Sequence, residues 1–329
     1  MKESLQWGAE GAWVLPPTNG WASTDPTSPS TPQILVKNTA GVTISNLIVD
    51  AANNNARCSG ELTGVSFHNA SGTVSKLAIR NQLTIESAIR CNGYGLLAFS
   101  DNQQPQTVVV QNSDFRNNGY SSLAGVGTGL ALNALNKFVT GGDNSQIGSA
   151  GIVYFSDATG TAQGNTVTNE IEVYGAPGAA LSNSTAIAAD CASATVTGNG
   201  ITASQLGVYV GCTVSGHTGR SSTVTQNKIL YTKIGDGIYV ASAGNSITKN
   251  TVVASASSGI HLDTALGGIN TPCREAVSPR RALAFSPAEQ AARTLCRRIL
   301  STMSTFQPRR VRPARRSFEG ALGSAVPRG

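Results

Sequence analysis

Three residues able to do chemistry recur at one place in a repeated segment. Tyr209, Tyr239 and His261 each stand third in Gly207-Val208-Tyr209-Val210, Gly237-Ile238-Tyr239-Val240 and Gly259-Ile260-His261-Leu262. Alternate residues of a strand face opposite ways, so if the second and fourth point inward the third points outward. Asp236 and Asp263 lie at the margins of the same segments. Aromatic faces stack on sugar rings and carboxylates accept their hydroxyls, so this stripe suits a saccharide groove. Tyr is also a good strand residue with an amphipathic tip, and a purely structural stripe has the same appearance.

The cysteines form a second constellation. Cys191 and Cys212 are separated by the same 21 residues as Ile187 and Val208. They therefore occupy equivalent places on adjacent repeats. Cys58 and Cys91 each precede a Gly-led segment by a few residues. Strands stacked about 4.8 Å apart bring equivalent Cα atoms within disulfide range. Disulfides Cys58–Cys91 and Cys191–Cys212 are expected, with buried free thiols as the alternative. Disulfides imply an oxidising compartment. No CxxC or Cys/His spacing for zinc is present, so neither a metal nor a cofactor is expected. His68 and His217 stand alone and are expected to be solvated.

Short strands must position these groups. The Gly-aliphatic-x-apolar segment occurs at Gly64, Gly95, Gly129, Gly151, Gly207, Gly237 and Gly259, with a weaker copy at Ala186. Its outward column is expected to read Ser66, Leu97, Ala131, Val153, Ala188, Tyr209, Tyr239 and His261. A second motif alternates with it, as in Val196-Thr197-Gly198-Asn199-Gly200-Ile201, Val224–Ile229 and Ile247–Val252, with looser copies from Ile44, Val74, Val110 and Ala162. Period-two alternation over four to six residues describes a strand. A strand pair returning about every 22 residues leaves no room for crossover helices. It fits one coil of a parallel β-solenoid, with inward Ile, Val and Leu columns as the core. Asn199, Asn227 and Asn250 are expected to form a side-chain ladder. A further outward column reads Asp50, Arg80, Arg116, Thr168, Thr202, Leu230 and Val253, with an Asp50–Arg80 ion pair expected.

The segments Val42–Leu47, Ala78–Gln82 and Ser258–Asp263 resemble those of bacterial right-handed parallel β-helix repeat proteins, which share the pectin-lyase-like fold. The resemblance covers roughly residues 34–269. It implies an all-β, single-stranded right-handed parallel β-helix of seven to eight coils, and usually an exported protein. Asp and Arg on consecutive coils are similar to β-helix polysaccharide lyases, where an Arg can act as base beside carboxylate-bound calcium. The acidic cluster for that calcium is missing here. The polygalacturonase-like set of Asn-Thr-Asp, Asp-Asp, Gly-His-Gly and Arg-Ile-Lys is absent, and Gly216-His217-Thr218-Gly219 is only an echo of it. The epimerase-type Asp-Pro-His-Glu is absent too.

Charge and composition place the boundaries. The net charge of the 329-residue chain is +6. Residues 1–272 carry −3 and residues 273–329 carry +9, the latter with 12 Arg and no Lys or Asn. The body is mildly acidic, which argues against a nucleic-acid partner. Residues 1–33 read as a non-repeat N-terminal segment ending in a Ser/Thr/Pro-rich linker, and residues 270–329 as a basic tail. Ser286-Pro287-Ala288-Glu289 is a helix start. That helix could cover the open end of the solenoid, or the tail could be an out-of-frame, disordered product, which the composition favours. No signal peptide is visible in Met1–Glu10, so either the chain is cytosolic or its start is truncated; because the β-helix proteins it resembles are usually exported, a truncated start is expected. No run of 18 apolar residues exists to span a membrane.

Two functions remain open on these residues. One is an exported, monomeric protein that binds or processes an extracellular polysaccharide along the solenoid side. It would act through Tyr209, Tyr239, His261, Asp236 and Asp263. The other is a non-catalytic, adhesin-like surface solenoid.

Overall fold

Apolar alternation broken every few residues by a turning residue gives short strands, and the computed structural model is built from them. It describes residues 4–6, 11–16, 30–54, 61–83, 93–140, 150–171, 184–212 and 220–263. Among these are 27 strands and no helix. The strands form three nine-stranded sheets, visited in turn, so that one strand of each makes one coil. Every pairing is parallel, to the coil before and the coil after. The architecture is an all-β parallel solenoid.

Sheet A contains Ser4–Gln6, Val42–Ser45, Gly72–Ser75, Gln106–Gln111, Leu130–Leu135, Thr159–Gln163, Ser193–Thr197, Thr223–Thr225 and Ser246–Thr248. Sheet B contains Ala12–Val14, Leu47–Asp50, Ala78–Arg80, Asp114–Arg116, Phe138–Thr140, Thr166–Thr168, Gly200–Thr202, Lys228–Leu230 and Thr251–Val253. Sheet C contains Ser30–Lys37, Glu61–His68, Gly93–Phe99, Ser121–Val126, Ala150–Phe155, Thr185–Asp190, Leu206–Gly211, Ile238–Val240 and Ile260–Leu262.

One inward column from each sheet makes the core. The middle of the stack buries Ala162 and Val196 from sheet A, Val167 and Ile201 from sheet B, and Ile152 and Ile187 from sheet C. Turning between sheets needs a residue in the left-handed region, which costs Asn less than most side chains. Among the described residues, nine of the nineteen non-Gly residues with positive φ are Asn, including Asn46, Asn81, Asn112, Asn117 and Asn136. A second set of Asn follows the A–B turn and points inward. Asn165 Nδ2 donates to Asn199 Oδ1 at 2.8 Å, Asn199 to Asn227 at 2.8 Å and Asn227 to Asn250 at 2.9 Å. The expected ladder is present and one rung longer.

The Gly-led motif has a steric cause. A Cβ on Gly151 would lie 2.6 Å from the Ala186 carbonyl oxygen and 2.8 Å from Val167 Cγ1. A side chain at the entry to sheet C would run into the sheet B strand Thr166–Thr168 and the sheet C strand Thr185–Asp190, which follow it in the chain.

Several expectations change. The Val-Thr-x-Asn-x-Ile motif is two strands with a corner between them, so each coil has three strands. Ser4–Gln6 and Ala12–Val14 pair with Val42–Ser45 and Leu47–Asp50 and, with Ser30–Lys37, form a coil that begins well before residue 34. The stack therefore has nine coils among the described residues. Gly129–Leu132 is not a sheet C segment. Gly129 has φ +84° and turns the chain into sheet A, and Ala124 takes the expected place of Ala131 between Leu97 and Val153. A tetrapeptide pattern cannot tell a glycine that turns from one that packs closely. The tail beyond residue 263 lies outside the described residues.

Candidate functional site

The last three strands of sheet C bring the expected site residues together. Parallel register places Tyr209, Tyr239 and His261 one above the other. Their ring centroids are 5.7 Å and 4.7 Å apart. The stripe is not uniformly open. Tyr209 is only 4% exposed, whereas Tyr239 and His261 are half-buried. Tyr209 packs in an outer apolar cluster with Tyr94, Leu97, Ala124, Val153 and Ala188. Sugar stacking is therefore open to Tyr239 and His261, not to Tyr209.

Two carboxylates hold the open pair. Asp236 is fully buried, accepts from the Ser258 backbone N–H at 2.7 Å and lies 2.9 Å from His261 Nδ1. Asp263 Oδ2 accepts from the Tyr239 hydroxyl at 2.7 Å. A buried carboxylate favours a proton on Nδ1, which leaves the lone pair on Nε2. Burial first, and then the bond to Asp263, push the Tyr239 phenol up to about 12. It stays protonated at neutral pH. Burial also pushes Tyr209 up, with the charge of Asp190 as the next cause.

Asp190 is the residue that sequence reasoning missed. It ends the strand Thr185–Asp190, two residues beyond the outward Ala188 and just past the four-residue repeat copy that begins at Ala186. Period two continued by one step marks it as outward. Opposite it on the next coil is Gly211, and the space a side chain would fill there is taken by the Tyr209 hydroxyl.

The expected disulfide Cys191–Cys212 is present, with Cα atoms 4.2 Å apart. Cys58, Cys91 and His217 lie outside the described residues. The Asp50–Arg80 ion pair is present at 3.1 Å, with Asn81 Nδ2 also donating to Asp50 Oδ1 at 2.9 Å. The Arg80 guanidinium sits 5.0 Å over the Trp13 ring, which makes a structural cluster of that column. His68 corrects its expectation. It is buried, 1% exposed, against Phe99, and its Nε2 lies 3.1 Å from Asp101 Oδ2. It ends a sheet C strand, facing outward under the next coil's loop, where an isolated sequence position gives no sign of a partner.

A separate groove of about 630 Å³ follows the A–B corner of the first six coils, lined in part by Asn46, Lys76, Asp114, Asn136 and Lys137. Lys137 stands where the Asn ladder would continue. Its Nζ donates to the Leu135 carbonyl at 2.8 Å, and burial pushes its amine down to about 6. At the B–C corner, burial pushes Glu170 up to about 8 and leaves its Oε1 without a partner. Among the described residues, Asp190, Cys191 and Cys212 are the group with metal-ligand geometry. No helix of the described residues is long and apolar enough to cross a membrane. The chain matches no family model, no curated protein and no solved structure.

Proposed function

We propose that this is an exported β-helix protein of the pectin-lyase-like kind that binds an extracellular polysaccharide along the last coils of sheet C and processes it there. The observation that carries this reading is the Asp236–His261 pair. A fully buried carboxylate is held by one backbone N–H and spent on orienting one half-exposed imidazole. Asp236 orients the ring and fixes its tautomer, so His261 Nε2 can take a proton from a bound sugar or from water. Such a positioned base supplies about 10²–10⁴-fold in rate. Tyr239 offers a ring face beside it, and its hydroxyl anchors Asp263. The Cys191–Cys212 disulfide supports export, because such bonds persist in oxidising compartments.

The second reading is a non-catalytic surface solenoid. It is favoured by the burial of Tyr209 and by the internal partners of Tyr239 and His261, which satisfy them without a ligand. A polysaccharide panel assayed for unsaturated products, new reducing ends and binding separates the two. Turnover lost on His261→Ala supports the first reading. Turnover that survives loss of both Tyr239 and His261 removes this site. Neither turnover nor binding across the panel supports the second reading.

A further inference from the structure

The geometry points to a metal site hidden under the Cys191–Cys212 disulfide: on reduction, the two thiolates and the Asp190 carboxylate form an open three-ligand site for a borderline-soft divalent cation such as Zn²⁺ or Co²⁺. The inference does not depend on the proposed polysaccharide function. Asp190 Oδ1 lies 3.6 Å from Cys191 Sγ, and one ligand atom from each of the three residues falls within 4.8 Å of the others. The parallel ladder holds the backbone on both sides of the bond. Asp190 pairs with Gly211, and the Cys191 backbone N–H donates to the Gly211 carbonyl at 2.8 Å. Opening the disulfide therefore leaves the two Cα atoms on adjacent coils. Zinc–thiolate bonds of about 2.3 Å in a tetrahedral site put two sulfurs about 3.7 Å apart, a separation that side-chain rotation reaches from stacked strands.

Two thiolates and one carboxylate suit zinc or cobalt better than the hard cations, which prefer oxygen. Three protein ligands leave the fourth position for water, as in zinc sites that do chemistry rather than those that only brace a fold. The spacing of the cysteines along the chain hides this site, because the ligands come from stacked coils rather than a short loop. Cys191 is 1% exposed and Cys212 is half-buried, so a reductant reaches the bond from the Cys212 side. With a phosphine, the phosphorus attacks one sulfur and the S–S bond breaks. Water then delivers oxygen to phosphorus, and two thiols form as the phosphine is oxidised to its oxide. Each thiol releases a proton to solvent when the cation binds.

Co²⁺ titration of the full chain, before and after phosphine reduction, tests this. The Cys191→Ser/Cys212→Ser double variant is treated identically, so that Cys58, Cys91, Cys273 and Cys296 are common to both. The expected result is one additional Co²⁺ per reduced wild-type chain, with intense thiolate-to-cobalt absorption, absent from the oxidised protein and from the double variant. Asp190→Asn keeps both thiols and should weaken that binding about tenfold or more. Equal Co²⁺ stoichiometry in reduced wild type and double variant overturns the proposal. So does equal binding before and after reduction, or a loss of the strand circular dichroism when the bond is opened. Unchanged affinity in Asp190→Asn removes the carboxylate from the site.

Discussion

The outer faces of sheets A and C belong to the same nine coils and share one backbone geometry, yet they carry opposite chemistry. None of the nine sheet A strands contains a charged or aromatic residue. Its outward ranks are uncharged and mostly small and polar, such as Thr43, Thr73, Thr161, Thr195 and Ser45, Ser75, Thr197, Thr225, with Val109 and Leu135 among them. The sheet C strands carry Tyr209, Tyr239, His68, His261 and Asp190, with Asp236 and Asp263 at the strand margins, and Tyr209, His68, Asp190 and Asp236 are buried. A solenoid needs its inward columns for stability and leaves its outward columns free to vary. The proposed function is placed on sheet C because burying charge there costs stability, which a purely structural face does not require.

This contrast is open to attack by substitution. The largest effect is expected at the dyad: His261→Ala should lower turnover on an active polysaccharide about 100-fold or more while leaving the strand circular dichroism unchanged. Next, Asn227→Ala breaks the ladder inside the solenoid. It orphans the Asn199 backbone N–H and removes one of the two acceptors of Asn199 Nδ2, which keeps its bond to the Ala162 carbonyl. An unsatisfied buried group costs about 1–3 kcal/mol, and a loss of that size should appear in chemical denaturation.

A smaller effect follows from Glu170. Its folded pKa is raised to about 8, so the folded state holds a proton that the unfolded state releases from about pH 4.5 upward. Stability from this group is full below pH 4.5 and is lost as pH rises towards 8. Glu170→Gln should flatten that decline, by at least about 1 kcal/mol between pH 5 and 8. Lys137 acts in the opposite direction, because its folded pKa is depressed to about 6. Its destabilising effect is fully present below pH 6 and fades as pH rises towards 10.5, and Lys137→Met should remove that slope. The smallest effect belongs to sheet A: Thr195→Ala should change both stability and turnover by less than about 0.5 kcal/mol.

Most of the repeat could be read from period-two alternation, because inward columns must be apolar in every coil. The corners were less visible. The single residue with positive φ at the A–B turn can be Asn, Lys or Gln, as at Asn46, Lys76 and Gln226, so that turn was hidden inside what reads as one strand. Ala131 was misplaced for the related reason that glycine serves both turning and close packing. At the site, types and register were readable, and Tyr209, Tyr239 and His261 do stack. Burial was not, because it depends on what the outer face packs against. Hence Tyr209 proved enclosed, His68 proved paired, and Asp190 was missed one residue past the end of a weak repeat.

Hydroxyl-radical footprinting with a bound polysaccharide tests most directly whether the chemistry resides on sheet C. Tyr239 and His261 are half-buried there, and Val109 and Leu135 are comparably accessible on the outer face of sheet A. The account predicts protection of Tyr239 and His261 with Val109 and Leu135 unchanged. Protection of Val109 and Leu135, with Tyr239 and His261 oxidised as in the free protein, would contradict it.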